Sequence, residues 1–406
     1  MKLKQLPEDF QVEERTAVMP GAGPHALYRL EKRGWSTPDA LAAVRRRWQI
    51  DLRRLAYGGL KDRHAQTVQY FTIFHGPRRN LTHHEIHVQY LGQVPQPYTS
   101  QDIRANAFRI TLRALGDNDV TQINAAAAEV GQDGFPNYFD DQRFGSIQSA
   151  SELEREPGGP PGEPGGLAPR TSVGGLLVRG LFEAALRLAL AEPYDYDRAE
   201  QKREKAILNA HWGDWKELKQ RLPKGHARSL VTYLADHPTD FRGAVARLRP
   251  ELRGLYLSAF QSDLWNRMLA RWLEEHARPE QLVGVRQRLG DVPFHRGLDP
   301  AQRAELAALQ LPLPSARLKL PADDPRLPLV QGILAEEGLE LKQMQVKGIR
   351  ELFFSKGERA ALCMPSDLHC ETAPDELHPG RQKASLSFEL SRGSYATLLV
   401  KRIQQA

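Results

Sequence analysis

The first third of the chain mixes helical and alternating spacings of apolar residues. Thr37-Pro38 places a hydroxyl at a helix N-cap and proline at the first helical position. Leu41, Val44 and Trp48 then recur at helical spacing. This pattern predicts a surface helix that begins at Thr37.

Strand patterns follow this helix. Residues 66–74 are rich in β-forming side chains, and residues 86–90 alternate apolar with polar positions. Alternation is cleanest at 107–113, where Phe108, Ile110 and Leu112 should face one way and the intervening polar residues the other. These segments predict a half-buried sheet.

The rest of the chain is more helical until its last fifty residues. Residues 156–170 are dominated by proline and glycine, which predicts a flexible loop, whereas 181–190 and 255–277 have helical character. Near the end, 386–390 alternates as a strand would, and 395–403 resumes a β-like pattern after a turn. A strand-rich beginning and end around a helical middle favour a discontinuous domain with an insertion.

Composition and charge limit the class of protein. The chain has 406 residues, 41% apolar and 26% charged, which fits a globular protein of two domains. The formal charge of +6 leaves a nucleic-acid partner and an ordinary solvated surface equally open. Arginines cluster at 45–47, 53–54 and 78–79.

The sequence lacks the motifs of several common classes of enzyme and of metal-binding protein. Cys363 and Cys370 lack zinc-site spacing and are too few for a disulfide framework, so a reducing cytoplasm fits best. There is neither a secretory leader nor an apolar stretch that predicts a membrane span. Nucleotide-cofactor, zinc-protease and serine-hydrolase motifs are missing. His83, His84 and His87 are close in sequence, but a strand at 86–90 disfavours a metal site there.

The most informative segment is GGLKDRHAQTVQ, residues 58–69. Its two glycines permit a sharp turn or a close backbone approach, after which Asp62, flanked by basic residues, enters a β-rich run. Taken alone, the segment is also typical of a solvated hairpin turn. Its residues do not by themselves decide between a turn and an active site.

The segment resembles the G-x-K-D-x-x-A-x-T-x-Q signature of the TruD pseudouridine synthases. Other stretches with counterparts in that family follow in the same order along the chain: PEDFQVEE, GFPNYFDDQRFG, LSAFQSDLWN, ERAALCMPSDL and SFELSRGSYAT. Collinear agreement over nearly the whole chain is much more specific than one short motif. The resemblance therefore carries more weight than the glycine turn.

The resemblance implies an α/β (α+β) fold with a discontinuous pseudouridine synthase catalytic domain at 1–150 plus 356–406 and an inserted TRUD domain at 151–355. It implies tRNA as the partner, the uridine at position 13 as the target, and no cofactor or metal. Asp62 aligns with the family's catalytic aspartate. A carboxylate is ionised at neutral pH and can attack C1′ or act as a base towards the sugar, and the residues leave both routes open.

The same resemblance suggests which residues bind the substrate. Phe10, Asn106 and Phe388 align with residues that contact the base or sugar, and Phe108 lies two positions after Asn106 in the same strand. Without the resemblance, Phe108 and Phe388 would be interpreted as core residues. Possible RNA or cleft contacts are Lys61, Asn137, Gln142 and Arg143, together with Tyr138 of the same motif.

Three positions depart from the family pattern: Ala105 before Asn106, Asp140 after NYF, and Ser391-Arg392 before the GSYAT turn. Asp140 is expected to add negative charge near an RNA surface. The departures and the basic balance keep a second hypothesis open, a non-catalytic RNA-binding or RNA-folding protein that retains the fold. The sequence leaves the oligomeric state undetermined.

Overall fold

The structure, a computed structural model, describes residues 1–149, 170–194, 197–349 and 351–405. The chain divides into two compact units, Met1–Phe135 with Leu362–Ala406 and Pro136–Ala361. The sequence analysis predicted domain boundaries at 150/151 and 355/356. The assignment of the two units as a catalytic domain and an inserted TRUD domain stays a prediction. The flexible loop predicted at 156–170 lies outside the described residues except for Arg170.

The strands are short in the second unit and longer in the first. In chain order they are β1 (Lys2–Leu3), β2 (Phe10–Thr16), β3 (His25–Arg33), β4 (Leu55–Tyr57), β5 (Gln66–Phe74), β6 (Leu81–His83), β7 (Ile86–Val94), β8 (Ile103–Leu115), β9 (Phe135–Pro136), β10 (Ile147–Ser149), β11 (Arg170–Ser172), β12 (Leu282–Gln287), β13 (Gly290–His295), β14 (Gln310–Pro312), β15 (Glu358–Ala360), β16 (Leu362–Cys363), β17 (Ser366–Pro374) and β18 (Gln382–Ser391).

Most of the described helices belong to the second unit. In chain order they are α1 (Thr37–Trp48), α2 (Asp117–Asp133), α3 (Val173–Val178), α4 (Phe182–Leu190), α5 (Ala199–Ala210), α6 (Trp215–Arg221), α7 (His226–Asp236), α8 (Phe241–Ala246), α9 (Pro250–His276), α10 (Pro300–Ala308), α11 (Leu327–Glu336) and α12 (Ala396–Gln404).

The first unit is built on one mixed sheet. Its strand order is β17-β18-β8-β2-β5-β3-β7-β6, with β1 added beside β8 and β4 beside β5 to give ten strands. The pairing of β2 with β5 is parallel and the other described pairings are antiparallel. Strands β17 and β18 come from the end of the chain and pair onto strands from its beginning, so residues far apart in sequence become neighbours.

The strand register decides which side chains share a face of this sheet. Phe108 pairs directly with Val12 of β2 and Phe388 of β18, so all three point to the same side. Arg109 is exposed on the opposite side. The alternation of side chains predicted for 107–113 is confirmed by the register, but of the polar side only Arg109 is exposed. Thr111 is buried, and so is Arg113, whose guanidinium donates to Asp9 and Asp375 at 2.8 and 2.9 Å.

Helix α1 covers one end of the sheet. The predicted helix is present, but the predicted N-cap at Thr37 is wrong by one residue. Ser36 caps the helix by accepting a hydrogen bond from the Asp39 backbone N–H, whereas the Thr37 hydroxyl donates to Gln69. Its apolar side packs with Tyr28 and Phe71, which pair with each other across β3 and β5. The loop that holds Asp62 lies between β4 and β5, near this packed region.

The second unit is organised around the long helix α9. Its buried residues include Phe260, Leu264 and Trp265, and the Trp265 indole N–H donates to the Leu311 carbonyl at 3.1 Å. The helices predicted at 181–190 and 255–277 are confirmed as α4 and α9.

One predicted element is wrong. Residues 395–403 were expected to resume a strand, but they form helix α12. Leu399 and Ile403 are spaced as on one helical face, both are buried, and α12 packs against α2. A short apolar run is compatible with a strand or a helix, and here tertiary packing against α2 selects the helix. Among the described residues, no helix is both long and apolar enough to cross a membrane.

Candidate active site

The loop that holds Asp62 is fixed by hydrogen bonds from three sides. The Thr37 hydroxyl accepts from the Lys61 backbone N–H at 2.9 Å and donates to the Gln69 side chain at 2.7 Å. Gln69 in turn donates to the Gly59 carbonyl at 3.2 Å. A Cβ on Gly58 would lie 2.9 Å from the Thr99 carbonyl oxygen, so glycine is required by a close approach.

A buried lysine lies beneath the same loop. Lys32 has no exposed surface, and its ammonium donates to the carbonyls of Trp35 at 2.7 Å and Asp62 at 2.9 Å. Burial lowers the pKa of Lys32 to about 8, and the Asp62 carboxylate partly opposes that shift. Lys32 thus connects the β3–α1 turn to the backbone of the candidate catalytic residue.

The Asp62 side chain is accessible and has one close cationic partner. Its exposed fraction is 47%, and Lys4 Nζ lies 2.8 Å from Asp62 Oδ2. The Lys4 ammonium also lies 3.8 Å from the centre of the Phe10 ring. Lys4 thus contacts both the solvent-accessible Asp62 carboxylate, whose charge it compensates, and the face of the Phe10 ring.

Three phenylalanines form an aromatic floor next to this ion pair. The Phe108 and Phe388 rings are stacked with centroids 5.4 Å apart, and Phe10 meets Phe108 edge-on at 6.3 Å. Phe10 and Phe388 are buried, whereas Phe108 is partly exposed. Strand pairing explains the cluster, because the three residues come from adjacent strands β2, β8 and β18.

Lys61 does not pair with the neighbouring aspartate. Its ammonium donates to Asn106 Oδ1 at 2.7 Å and lies 3.0 Å from Glu14 Oε1. Glu14 is fully buried and also accepts from the Tyr70 backbone N–H at 3.1 Å. Because an ammonium can only donate, Asn106 must direct its oxygen at Lys61, which leaves its NH₂ group for another partner.

The remaining candidate residues belong to the second unit. Asn137 is buried, donates to the Ala360 carbonyl at 3.0 Å and accepts from Arg359 at 2.6 Å. The Tyr138 hydroxyl donates to the Pro293 carbonyl at 2.8 Å. These contacts connect segments of that unit, so both residues have structural roles, and their contact with RNA stays a prediction.

Gln142 and Arg143 lie in a short turn that is more accessible. Gln142 is exposed, while Arg143 is partly buried and donates to the Ser262 hydroxyl at 3.3 Å. Asp140, expected near a surface, is instead buried. The expectation of a surface charge at this position is therefore wrong. The Asp140 backbone carbonyl accepts a hydrogen bond from the Arg143 N–H in the same turn.

Two residues of the candidate site were missed by sequence reasoning. Lys4 precedes the PEDF motif and Lys32 ends a strand pattern, and neither has a sequence feature that separates it from a solvated lysine. The only available signal was position, since each lies near a segment already assigned to the site. His83, also singled out, bonds Arg47 at 3.1 Å, and no cluster among the described residues could hold a metal ion.

A solved structure shows the class of fold to which this arrangement belongs. A crystal structure of a TruD protein from Methanosarcina mazei superposes with a TM-score of 0.71 and 27% identity, covering 100% of this chain and 93% of that one. The predicted α/β pseudouridine synthase fold is therefore confirmed.

Sequence comparisons narrow the class to one family. The pattern of the family described as tRNA pseudouridine synthase D (TruD) matches residues 1–153 and 166–403. A Methanocaldococcus jannaschii protein named "Probable tRNA pseudouridine synthase D 2" is 28% identical over 99% of this chain and 91% of its own length. The tRNA pseudouridine synthase D of Leptospira interrogans is 26% identical over 99% of this chain and 95% of its own. The chain belongs to the TruD family, as predicted.

Proposed function

We propose that this protein isomerises uridine to pseudouridine at position 13 of tRNA, with Asp62 as its catalytic residue and without a cofactor. The observation that carries the proposal is the accessible Asp62 carboxylate, held by its loop beside the aromatic floor in a chain of the TruD family. We further propose that the unit Met1–Phe135 with Leu362–Ala406 is the catalytic domain and that Pro136–Ala361 is the family's inserted domain.

The chemistry explains why one carboxylate is sufficient. The C1′–N1 bond of uridine breaks, the uracil turns, and a C1′–C5 bond forms. The proton on C5 is released and N1 gains one, so the reaction is an isomerisation that consumes no water. The paired acid and base of a glycoside hydrolase are therefore unnecessary. Asp62 acts either as nucleophile at C1′ or as base towards the sugar.

The surroundings of Asp62 are suited to a uracil taken out of its stack. An extruded base needs an aromatic face to replace lost stacking and hydrogen bonds to its polar edge. Phe108 is the partly exposed ring of the aromatic floor. Asn106 has its amide oxygen occupied by Lys61, so its NH₂ group is the donor available to a uracil carbonyl.

The test uses a tRNA transcript with uridine at position 13, incubated with the wild-type protein and mapped for pseudouridine. We expect product at position 13, and no product from a matched transcript with cytidine there. Product at another uridine would contradict the assigned position. Binding without any product would contradict the activity and favour an RNA-binding protein that retains the fold. We further propose that the reaction takes place in the cytoplasm, where the thiols of Cys363 and Cys370 would remain reduced.

A further inference from the structure

A second hollow lies beside the Asp62 loop in the first unit. It has a volume of about 380 Å³ and is lined by Gly34, Trp35, Asp39, Ala42, Arg46 and Arg63. Asp39, Ala42 and Arg46 share one face of α1 because they are spaced by three and four residues. Trp35 comes from the turn before that helix, and Arg63 directly follows Asp62.

Hydrogen bonds from Lys32 connect Trp35, in the lining of the hollow, to the backbone of Asp62. Lys32 Nζ donates to the Trp35 carbonyl at 2.7 Å and to the Asp62 carbonyl at 2.9 Å, so these two oxygens lie no more than about 5.6 Å apart. The Gly34 N–H also donates to the Ala65 carbonyl at 3.4 Å. The turn that contains Trp35 and the loop that contains Asp62 are therefore direct neighbours in the fold.

The cations of the hollow are available to a ligand. Arg46 and Arg63 are exposed, and neither forms an ion pair with any described carboxylate. The nearby Arg33, in contrast, pairs with Glu8 and with Glu85. The Asp39 carboxylate accepts a hydrogen bond from the Ser36 hydroxyl, with an oxygen–oxygen distance of 2.6 Å, at the N-terminal cap of α1. The lining thus has an excess of positive charge.

Two free guanidinium groups next to an indole ring match the chemistry of a nucleotide. Arginine recognises phosphate oxygens through a planar set of donors, and an aromatic ring offers a face on which a base can stack. An enzyme that extrudes a nucleotide must also hold the backbone beside it. A volume of this size lies in the range of small-ligand sites.

We propose that this hollow is a subsite for the RNA strand flanking the target uridine, in which Arg46 and Arg63 bind phosphate oxygens and Trp35 stacks on the adjacent base. The identity of the target rests on the proposed function, whereas binding of the strand can be measured without turnover. The proposal adds to the proposed function that the tRNA backbone next to the target uridine is bound in the hollow lined by Arg63.

The first experiment measures tRNA affinity against salt for the double variant Arg46→Ala/Arg63→Ala. Each lost phosphate contact should reduce the slope of log K against log salt by about 0.7 to 0.9, so the double variant should lose about 1.4 to 1.8. The matched control is Arg78→Ala/Arg79→Ala, which removes two exposed arginines of the turn before β6. The control should keep the wild-type slope. An unchanged slope in the double variant would overturn the subsite.

A second experiment locates the contact on the RNA. Ethylation of phosphates flanking the target uridine should weaken tRNA binding by the wild type. The same ethylation should leave tRNA binding by the double variant unchanged. If the lost interference maps to distant phosphates, the cations bind RNA but the subsite assignment is wrong. Trp35→Leu should weaken tRNA binding by about 5- to 150-fold, and an unchanged affinity would overturn the stacking contact.

These outcomes separate the two proposals. Wild-type product with an unaltered salt slope in Arg46→Ala/Arg63→Ala would overturn the subsite and leave the proposed function intact. Conversely, the expected change in slope without pseudouridine from the wild type would overturn the function and retain the RNA contact.

Discussion

The substitution Lys32→Met tests whether a buried lysine positions the catalytic loop. Methionine has similar length and fits an apolar environment but cannot donate to the Trp35 and Asp62 carbonyls. Hydrogen bonds from a charged donor contribute about 1.5 to 3 kcal/mol each, which gives about 3 to 6 kcal/mol for the two. The cost of burying the ammonium offsets part of this stabilisation, because a pKa lowered from 10.5 to about 8 corresponds to a burial penalty of about 3 kcal/mol.

The net loss of folding free energy should therefore stay between about 0 and 3 kcal/mol, while the effect on catalysis should be larger. A displacement of the reacting group by about 1 Å can reduce the rate about 10²-fold. We expect single-turnover pseudouridine formation to fall by about that factor at saturating tRNA, with tRNA affinity reduced less. Lys342→Met, at a lysine side chain with 78% exposure, is the control and should behave as wild type. A folded Lys32→Met variant within twofold of the wild-type rate would refute this reasoning.

The same lysine predicts how stability depends on pH. Its pKa is about 8 in the fold and 10.5 in the unfolded chain, so between these values the unfolded state binds the proton more tightly. Stability of the wild type relative to Lys32→Met should therefore rise with pH across that window, and the burial penalty is fully present below about pH 8. Thermal unfolding of both proteins at pH 7.5 and 9.5 measures this difference. A difference that shrinks with pH would contradict the assignment.

Three further substitutions test the surroundings of Asp62. Lys4→Met removes its ion-pair partner and should slow single-turnover formation about tenfold or more, whereas tRNA affinity measured by filter binding should change less. Phe108→Leu removes the partly exposed ring of the aromatic floor and should lower turnover on saturating tRNA about 5-fold or more; an unchanged rate would show that Phe108 is not part of the pocket. Arg113→Met leaves the buried Asp9 and Asp375 carboxylates without their partner and should lower unfolding free energy by about 3 to 5 kcal/mol in urea titrations.

Local patterns predicted helix α1 and strands β5, β7, β8 and β18 of the first unit because the packing of these elements agrees with their periodicity. The helix that follows Ser36 and the alternation through Phe108 are decided within a few residues, and the sequence alone contains that information. The choice of Ser36 over Thr37 as the cap is not local, because the Thr37 hydroxyl binds Gln69. Helix α12 was missed because Leu399 and Ile403 fit a strand or a helix equally well until α2 provides a surface.

The candidate site was predictable only where a motif marks it. Asp62 was found through its family signature, and strand pairing then brings Phe10 and Phe388 into one cluster from opposite ends of the chain. Lys4 and Lys32 escaped notice because a buried lysine and a solvated one are identical in a string of letters. Only the three-dimensional positions of their acceptors distinguish them.

The central claim is that the Asp62 carboxylate performs the isomerisation. Asp62→Asn keeps the shape of the side chain and removes its charge, and Glu371→Gln, at an exposed carboxylate of β17, is the matched control. The measurement is tritium release from tRNA that contains 5-tritiated uridine, under single-turnover conditions with saturating protein. The account predicts that Asp62→Asn slows release by at least about 10²-fold while Glu371→Gln retains the wild-type rate. Release by Asp62→Asn at the wild-type rate would contradict it.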